Sequence, residues 1–388
     1  MTDIAEPFLD SDDPQIYPAL ALARATCPVP HSPAHGRNPN PRRNVTRWAD
    51  VDQVLRDGER FSSAPARDDI PHTGSKIILA MDGEEHRRYR ALVKEAFAPA
   101  ALRALESDLV GPVIHDLLAA IRGRGSAELI SEVILRFPVQ VICHILGIPT
   151  DRVEDFQRWG TDMILGAYDE EAAAAAGVAM TTFLEPIVEE RRRAPRGDLI
   201  SRLVTAEVDG ERLDDEGLYS FLRLLLPAGA DTTWRAFGTL LVALLDHPET
   251  LAAVTADRTL VPAVIEESLR WETPSPRIVR MATEDVEIAG CPIAAGTVLE
   301  VWTGSANRDE TRFDRPEEWR PGRRESHLAF GVGKHVCLGI NLARMELVVG
   351  LNAVLDALPG LRLDPAYPTP VITGHALRGP GELHVLFD

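Results

Sequence analysis

The chain has 388 residues, of which 45% are hydrophobic, so it is long enough to bury a large core. Its formal net charge of −18 repels nucleic acid and anionic lipid, which leaves small molecules and other proteins as the expected partners. Four scattered cysteines, without CxxC spacing or a matching histidine pair, indicate neither a disulfide framework nor a zinc site and fit a reducing cytoplasm.

The first part of the chain, about residues 1–45, is predicted to be irregular. It is acidic and rich in proline, and it has no basic flank or long apolar run. Such a sequence predicts no signal peptide and no membrane anchor. We therefore expect a cytoplasmic protein without a membrane segment.

The middle of the chain, about 80–275, is predicted to be rich in helices. Its longest periodic segment, of about 30 residues, carries Arg223, Asp231 and Arg235, so it is too polar for a membrane span. This segment predicts a long helix that runs through a core. Apolar residues also recur at helical spacing in 82–97, 99–123, 126–147, 151–166 and 170–194.

The last part, about 276–388, is predicted to contain β-hairpins, a cysteine-bearing loop and a final helix. No internal repeat and no linker divides the sequence. We therefore predict one domain over residues 1–388, mainly α with a smaller β-rich part.

A lone cysteine, Cys337, lies between a glycine-rich loop and an apolar-periodic run. The usual interpretation of such a residue is a buried structural thiol. Here Gly331 and Gly339 allow tight backbone folding, and the helix that starts near Leu338 directs its first N–H groups at the sulfur. These features lower the pKa of a thiol and favour a nucleophile or a metal ligand, and haem iron accepts a cysteinate. His335 makes a Cys–His hydrolase conceivable, although no oxyanion hole or orienting acid is recognisable.

The sequence FGVGKHVCLG, from Phe330 to Gly339, resembles the haem-binding loop of the cytochrome P-450 family at every expected position. The resemblance implies that Cys337 ligates the iron of haem b (iron protoporphyrin IX), that Phe330 packs beside the sulfur and that His335 hydrogen-bonds a haem propionate. It also assigns Gly331 and Gly339 to the haem-binding loop. The cytochrome P-450 fold, a single mainly helical domain, is implied for nearly the whole chain.

Glu267 and Arg270 form an ExxR pair, which at positions i and i+3 shares one helix face and allows a bidentate contact. An isolated pair of this kind is usually a weak surface ion pair. By resemblance to the family it is instead a buried lock under the cysteine loop. The family often completes the lock with an arginine where this chain has Glu318, so Arg320 and Arg323 are the candidates for the third member.

Ala228, Gly229, Asp231 and Thr232 lie midway along the predicted long helix, where Pro227 and Gly229 are expected to loosen the hydrogen-bond ladder. From the residues alone, Thr232 is either a hydroxyl bonded back to a carbonyl one turn earlier or, with Asp231, part of a buried proton path. The segment resembles the acid–alcohol pair of the family. That resemblance implies that Thr232 hydrogen-bonds bound dioxygen, that Asp231 helps to deliver protons, and that Ala228 and Gly229 lie against the cofactor.

His86 and Arg90, at positions i and i+4, resemble the HxxxR motif on a helix that crosses behind the haem in the family. Taken alone, the two side chains are a solvated basic face. Arg280 falls where soluble bacterial members often place another propionate-binding arginine. With His335, these residues make four candidates to neutralise two propionates.

Electrons are expected to come from another protein, because the sequence ends soon after its last strand signals without a flavin or iron–sulfur module. The resemblance implies a ferredoxin, with its ferredoxin reductase, as the donor. Basic charge around the cysteine would steer an acidic ferredoxin, whereas scattered surface arginines are the alternative interpretation. The residues concerned are Arg320, Arg323, Arg324, Lys334 and Arg344, and Arg87, Arg88 and Lys94 would join them if the helix that carries His86 lies on the same side.

The implied reaction is the insertion of one oxygen atom from dioxygen into a small, mostly apolar organic substrate. Pocket walls are predicted from 63–79, 163–168 and 274–279, and Arg277 either faces the pocket as a carboxylate anchor or points outward. Two other functions stay open: a peroxide-driven peroxygenase of the same fold, which often lacks the acid–alcohol pair, and a non-catalytic haem-binding sensor or recruitment protein.

Overall fold

The computed structural model describes residues 16–27, 29–32, 40, 42–94, 97, 105–164, 169–208, 210–374 and 376–388. Within these residues helices predominate, as the sequence predicts, and the strands form small sheets. The helices are Ile16–Thr26, Trp48–Arg56, Ala66–Asp69, Gly83–Lys94, Gly111–Ala119, Arg136–Leu146, Val153–Ile164, Glu170–Arg193, Leu199–Thr205, Asp215–Asp246, Pro248–Ala256, Val261–Trp271, Thr303–Ala306 and Ile340–Ala357.

Four helices position the candidate site and are named here by their features. They are the histidine helix (Gly83–Lys94), the central helix (Asp215–Asp246), the ExxR helix (Val261–Trp271) and the C-terminal helix (Ile340–Ala357). Residues 99–104 of the predicted helix 99–123 lie outside the described residues. The remainder of that segment forms a π-helical turn, Glu106–Val110, that leads into Gly111–Ala119.

The N-terminal part, predicted to be irregular, contains a helix at Ile16–Thr26. Its Ala- and Leu-rich sequence favours a helix, and Ile16 and Leu20 are fully buried in a small cluster with Trp302. Pro18 lies in the first turn of this helix, where the missing backbone N–H has no partner within the helix, so it does not interrupt the helix.

The central helix is capped by Asp214, whose carboxylate accepts a hydrogen bond from the backbone N–H of Gly217 at 2.9 Å. Most of its residues are buried, so the prediction of a long helix through a core is confirmed.

The central helix continues without a break over Pro227 and Gly229. Pro227 packs against the helix Val153–Ile164 at Gly160, where a Cβ atom would lie 3.1 Å from the Cβ of Pro227. The absence of a side chain at Gly160 lets the two helices approach closely, and this packing supports the helix at the point where proline removes a backbone donor.

The largest sheet within the described residues has the strand order β1-β2-β10-β7-β3, in which β10 pairs with β2 in parallel and with β7 antiparallel. Its strands are β1 (His31–Ser32), β2 (Arg42–Val45), β3 (Phe61–Ser62), β7 (Ile278–Ala282) and β10 (Val298–Val301). The other strands are β4 (Ser126–Glu128), β5 (Glu207–Val208), β6 (Glu211–Arg212), β8 (Val286–Ile288), β9 (Cys291–Ile293), β11 (Arg362–Leu363), β12 (Ile372–Thr373), β13 (Gly379–Pro380) and β14 (His384–Leu386).

The helix Glu170–Arg193 is long and apolar enough to cross a membrane by length and composition alone, as is the bent pair formed by the central helix and Pro248–Ala256. Core helices of folded proteins often have the same length and composition, so these helices are weak support for a membrane segment. In Glu170–Arg193, Met180, Leu184 and Val188 are fully buried and pack in the main core.

Candidate functional site

The cysteine-bearing loop is shaped by a glycine and closed by a backbone hydrogen bond. Gly333 has a φ of +80°, and a Cβ atom there would lie 2.6 Å from the carbonyl oxygen of Leu55, so only glycine fits. The backbone N–H of Cys337 donates to the carbonyl oxygen of Phe330 at 2.9 Å. The loop therefore fixes Cys337 directly ahead of the C-terminal helix.

The side chain of Cys337 is exposed, and its sulfur accepts a hydrogen bond from the backbone N–H of Gly339. Neighbouring protein atoms nevertheless desolvate the sulfur enough to raise the pKa of the thiol. The Gly339 amide and the guanidinium groups of Arg90 and Arg344 act in the opposite direction. The sequence argument for a lowered thiol pKa identified the amide groups correctly but left out this desolvation.

Phe330 and Gly331 lie in the same loop. The Phe330 ring is partly buried against the main core, and the guanidinium of Arg344 lies 5.0 Å from its centroid. Gly331 has a φ of +65°, and a Cβ atom there would lie 3.6 Å from Ile278 on β7. The loop thus runs beside the strand that carries Arg280.

His86, Arg90, Arg280 and His335 form one basic cluster at the start of this loop. The imidazole rings of His86 and His335 lie 4.0 Å apart, and Arg90 donates from Nη2 to the carbonyl oxygen of Val336 at 2.7 Å. The histidine helix therefore contacts the cysteine loop through both residues of its HxxxR motif.

Burial and mutual repulsion lower the pKa values in this cluster. Desolvation and the charges of Arg280 and Arg90 lower the pKa of His335 to about 3, and desolvation lowers the pKa of Arg280 to about 10. Desolvation, with Arg90, also lowers the pKa of His86, whose buried Nε2 has no partner among the described residues. Both imidazoles are therefore neutral at pH 7.

The cluster fits the two carboxylates of a haem. Arg280 is 4% exposed, yet its guanidinium donates from Nη1 to the carbonyl oxygen of its own neighbour Val279 at 2.7 Å. A buried guanidinium and an unpartnered imidazole nitrogen are costly unless an anion compensates them. Together with the exposed thiol of Cys337, these residues suit a dianionic porphyrin whose iron takes a cysteine ligand.

Ser63, predicted only as part of a pocket wall, and Asp82 lie against this cluster, a contact that the sequence did not indicate. Ser63 lies with its Oγ 3.0 Å from Nε2 of His335, and Asp82 accepts hydrogen bonds from the Ser62 hydroxyl and the Ser63 amide. The carboxylate of Asp82 also raises the pKa of Arg280 against the effect of burial. No spacing rule connects Ser63 with His335, because 272 positions separate them.

The ExxR pair is a buried lock. Glu267 accepts two hydrogen bonds from Arg270, at 2.8 and 2.9 Å, and both side chains are 2% exposed. Arg270 also donates to the carbonyl oxygens of Asn307 and Pro316, at 2.8 and 2.9 Å. The alternative of a surface ion pair is therefore wrong for this chain.

Arg323 supplies the third side chain of the lock. Its Nε lies 3.1 Å from Oε1 of Glu267, and its side chain is 9% exposed. Arg320 contributes only its backbone N–H, at 2.7 Å from the same oxygen. Glu318 takes part through its carbonyl oxygen, which accepts from Arg270 at 3.1 Å and from Arg323 at 3.2 Å.

Asp231 and Thr232 have different surroundings on the central helix. Asp231 is 4% exposed, and burial raises the pKa of its carboxyl group, which Arg235 opposes. Thr232 donates from Oγ1 to the carbonyl oxygen of Ala228 at 2.9 Å, the back-bonded arrangement that sequence analysis left open. Ala228 is exposed, and Gly229 and Thr232 are partly exposed, so this stretch of an otherwise buried helix faces an opening.

The basic charges near the cysteine loop are largely paired. Arg344 donates to Glu266 at 2.7 Å and Arg320 pairs with Asp314 at 2.9 Å, while Arg323 belongs to the lock. Burial alone would raise the pKa of Glu266, but hydrogen bonds from His327 and Arg344 hold it at about 2.

Sequence analysis therefore overestimated the free positive charge near the loop. Arg87 on the histidine helix pairs with Glu84. Among the described residues, Arg324, Lys334 and Lys94 show no side-chain ion pair.

Arg277 is paired within the sheet. Its Nη1 lies 3.1 Å from Oε1 of Glu300, which also pairs with Arg42 at 3.0 Å. Arg277 is therefore neither a free carboxylate anchor nor an outward-pointing side chain. Of the predicted wall 163–168, residues 165–168 lie outside the described residues.

Comparison with known proteins shows which family the chain resembles. The sequence model of the cytochrome P450 family matches residues 161–358. Erythromycin C-12 hydroxylase of Saccharopolyspora erythraea is 36% identical over 336 residues, which cover 83% of each protein. Nocardicin C N-oxygenase of Nocardia uniformis subsp. tsuyamanensis is 38% identical over 356 residues, 88% of each protein. The crystal structure of myxobacterial cytochrome P450 CYP267B1 in complex with myristic acid superposes with a TM-score of 0.90 at 29% identity, covering 99% of both chains.

Proposed function

The chain belongs to the cytochrome P450 family, and from that premise we propose that it oxidises a small, mostly apolar organic substrate with dioxygen and with electrons from a ferredoxin. It is a cytochrome P450 monooxygenase, and its cofactor is haem b. The substrate, the electron donor, the cytoplasmic location, the single domain over 1–388 and the roles of individual residues are the proposed parts.

Cys337 is the proposed iron ligand, and the basic cluster of His86, Arg90, Arg280 and His335 is the proposed site of the two propionates. Support for this assignment comes from the exposed thiol at the start of the C-terminal helix and the unpartnered Nε2 of His86. When bound, haem supplies the iron centre at which dioxygen is activated. The protein holds this group and tunes it through the cysteine sulfur and its amide hydrogen bond.

The observation that carries the dioxygen reaction is the buried carboxyl group of Asp231 beside Thr232 at the open stretch of the central helix. Burial raises the pKa of Asp231, so this carboxyl group takes up a proton more readily than an exposed aspartate does, which suits it to pass a proton on. Thr232 is partly exposed at the opening, and it is the proposed hydrogen-bond partner of bound dioxygen. This pair favours the dioxygen reaction over a peroxide-driven one, because peroxide-driven members of the fold often lack the pair, and over a non-catalytic haem protein, which needs no proton path.

The proposed substrate is apolar, with a lipid-like, terpenoid, steroid, polyketide or aromatic skeleton. The opening beside the central helix is bordered by Ala228 and Gly229, which offer no polar side chain. Segments 63–79 and 274–279 are the proposed walls, with Leu79 exposed and Ile78 buried in the first of them. The relatives are compatible with this class, since one is named a hydroxylase of erythromycin and one solved structure is a complex with myristic acid.

The experiment that tests the proposal is turnover of the purified holoprotein. Compounds from a natural-product library that shift the spin state of the haem are incubated with spinach ferredoxin, its reductase, NADPH and ¹⁸O₂. We expect one ¹⁸O atom in the product and a reduced carbon monoxide spectrum typical of thiolate ligation. Product formation with hydrogen peroxide alone, and none with ferredoxin, would establish the peroxygenase instead. Spin shifts without any product would favour a sensor.

A further inference from the structure

Asp231 is held by the side chain of Trp234, one turn further along the central helix. The indole Nε1–H donates to Oδ1 of Asp231 at 2.9 Å, and both residues are buried, at 4% and 7% exposure. Oδ2 is buried and has no hydrogen-bond partner among the described residues. One oxygen of this carboxyl group therefore accepts a hydrogen bond, and the other accepts none from the described residues.

Arg235 also contacts the indole of Trp234. Its guanidinium carbon lies 4.4 Å from the centroid of the Trp234 ring, a cation–π distance. Its positive charge favours the ionised form of Asp231, while burial favours the neutral form. Burial and the charge of Arg235 therefore act on the protonation of Asp231 in opposite directions.

The indole N–H distinguishes the two oxygens chemically. In a neutral carboxyl group the carbonyl oxygen is the better acceptor, and the hydroxyl oxygen carries the proton. A donor fixed on Oδ1 therefore makes Oδ1 the carbonyl oxygen and leaves the proton on Oδ2. Without that donor, the group can turn about its χ2 torsion and place its proton on either side.

We propose that Trp234 is a positioning residue that fixes Oδ1 of Asp231 as an acceptor, so that Oδ2 is the atom that receives and releases the proton. The inference rests on the proposed role of Asp231 in proton delivery and extends it to a side chain that does not touch the reacting atoms. It predicts that the indole N–H, and not only the volume of Trp234, matters for the reaction.

The hydrogen bond itself is tested without turnover. In the reduced carbon monoxide complex, labelled with ¹⁵N-tryptophan, the indole resonance that Trp234→Phe removes is assigned to Trp234. Asp231→Ala should shift that resonance upfield in the proton dimension and leave the other indole resonances in place. An unmoved Trp234 resonance would show that the contact does not exist in solution, and the proposal would fall.

The functional part uses cumene hydroperoxide as a probe, because it needs neither the natural substrate nor an electron donor. Heterolytic O–O cleavage requires a proton on the leaving oxygen and gives 2-phenyl-2-propanol, whereas homolysis gives a cumyloxyl radical that fragments to acetophenone. We expect Trp234→Phe to lower the alcohol-to-ketone ratio roughly five-fold, the size expected for loss of one buried hydrogen bond. Asp231→Asn should lower it at least as much.

Trp302→Phe is the matched control, because it removes another buried indole hydrogen bond, to Oδ1 of Asn44 at 2.7 Å. An equal loss in Trp302→Phe would mean that general loosening causes the effect and would overturn the proposal. A wild-type ratio in Trp234→Phe, with a lowered ratio in Asp231→Asn, would also overturn it. A wild-type ratio in Asp231→Asn would instead refute the proposed role of Asp231, and the inference with it.

Discussion

Thr232 and Thr233 are adjacent residues that make the same local contact in different surroundings. Each donates from Oγ1 to the carbonyl oxygen four residues earlier, at 2.9 Å. Thr233 is 5% exposed and packs inside the protein, whereas Thr232 is partly exposed beside Ala228. A hydroxyl that donates to the backbone still has lone pairs to accept a second hydrogen bond, and only Thr232 has open space in which to do so.

We predict that Thr232→Ala keeps its haem but wastes electrons. Without the hydroxyl, protons reach the oxygen less efficiently, so product per electron should fall by up to about 10²-fold, the lower end of the range for positioned proton transfer. Peroxide formation should rise correspondingly. The measurement is the ratio of product and hydrogen peroxide to NADPH consumed, with the carbon monoxide spectrum as the check on thiolate ligation.

Thr233→Ala is the control for this substitution. It removes the same back-bonded hydroxyl from the same turn of the helix, so any effect on helix stability is shared by both variants. We expect Thr233→Ala to couple electrons to product as the wild type does. Equal uncoupling of the two variants, or undiminished coupling in Thr232→Ala, would remove Thr232 from the proton path.

At the scale of whole elements, the ExxR lock ties the ExxR helix to the segment before the cysteine loop. The local half of the lock, Glu267 with Arg270, follows from i, i+3 spacing and could be predicted from the sequence. The distant half could not be assigned, since the choice between Arg320 and Arg323 depends on how the chain turns after Glu318. Spacing fixes side chains that share a helix face, but it does not fix which side chain a loop brings back.

We predict that Arg323→Ala destabilises the protein by about 1–3 kcal/mol, because it leaves a buried carboxylate with one partner fewer. The loss stays below that of breaking an entire buried pair, because Arg270 and the Arg320 amide still contact Glu267. The measurement is thermal or urea unfolding of the holoprotein. Arg320→Ala should change the midpoint little, because within the described part of the chain the Arg320 side chain pairs with exposed Asp314 alone. Equal destabilisation by the two variants would contradict the assignment of Arg323.

A second long-range device fixes the segment 73–76 to the central helix. Arg223 donates from Nε to the carbonyl oxygen of Thr73 at 2.7 Å, and Glu216 accepts from the amide and the hydroxyl of Ser75, both at 2.8 Å. Lys76 pairs with Asp214 at 2.5 Å. These contacts span more than 130 positions, so no sequence pattern announces them.

The contact between Ser75 and Glu216 should weaken in acid. The Ser75 amide lowers the pKa of Glu216 below its usual 4.5, so the contact contributes its full stability above pH 4.5 and loses it as the pH falls through the depressed value. Amide hydrogen exchange of a peptide covering 74–79, corrected for the intrinsic pH dependence, should therefore show falling protection below about pH 4.5. Glu216→Ala should show low protection already at pH 7. If protection stays constant with pH in the wild type and is unchanged in Glu216→Ala, Arg223 alone holds the segment.

At the scale of the whole molecule, charge is distributed unevenly. The chain carries a net charge of −18, yet the cysteine loop is surrounded by arginines, most of which neutralise buried or neighbouring carboxylates. Lys334 is exposed, and a Cβ atom at Gly58 would lie 3.7 Å from its Cδ. Among the described residues, Lys334 in this loop, Arg324 in the segment before it and Lys94 on the histidine helix have no side-chain ion pair, and this is a smaller set than the sequence suggested.

The exposed basic residues near the cysteine loop predict how salt affects reduction of the protein by spinach ferredoxin. The rate of the first electron transfer should fall as ionic strength rises from about 0.01 to 0.15 M, since the Debye length shrinks from about 30 to 8 Å. Lys334→Glu and Arg324→Glu should each slow reduction at low salt and flatten this dependence. Arg344→Gln should change it less, because its charge is already paired with Glu266.

Arg158→Glu, on the helix Val153–Ile164, makes the same change in net charge elsewhere and should leave the rate near that of the wild type. Stopped-flow formation of the ferrous carbon monoxide complex measures the first electron directly, and substrate-induced spin shifts at each salt concentration show whether binding is unaffected. If Arg158→Glu slows reduction as much as Lys334→Glu does, net charge and not a local patch governs the encounter. The donor would then dock without the guidance that the exposed charges of this loop provide.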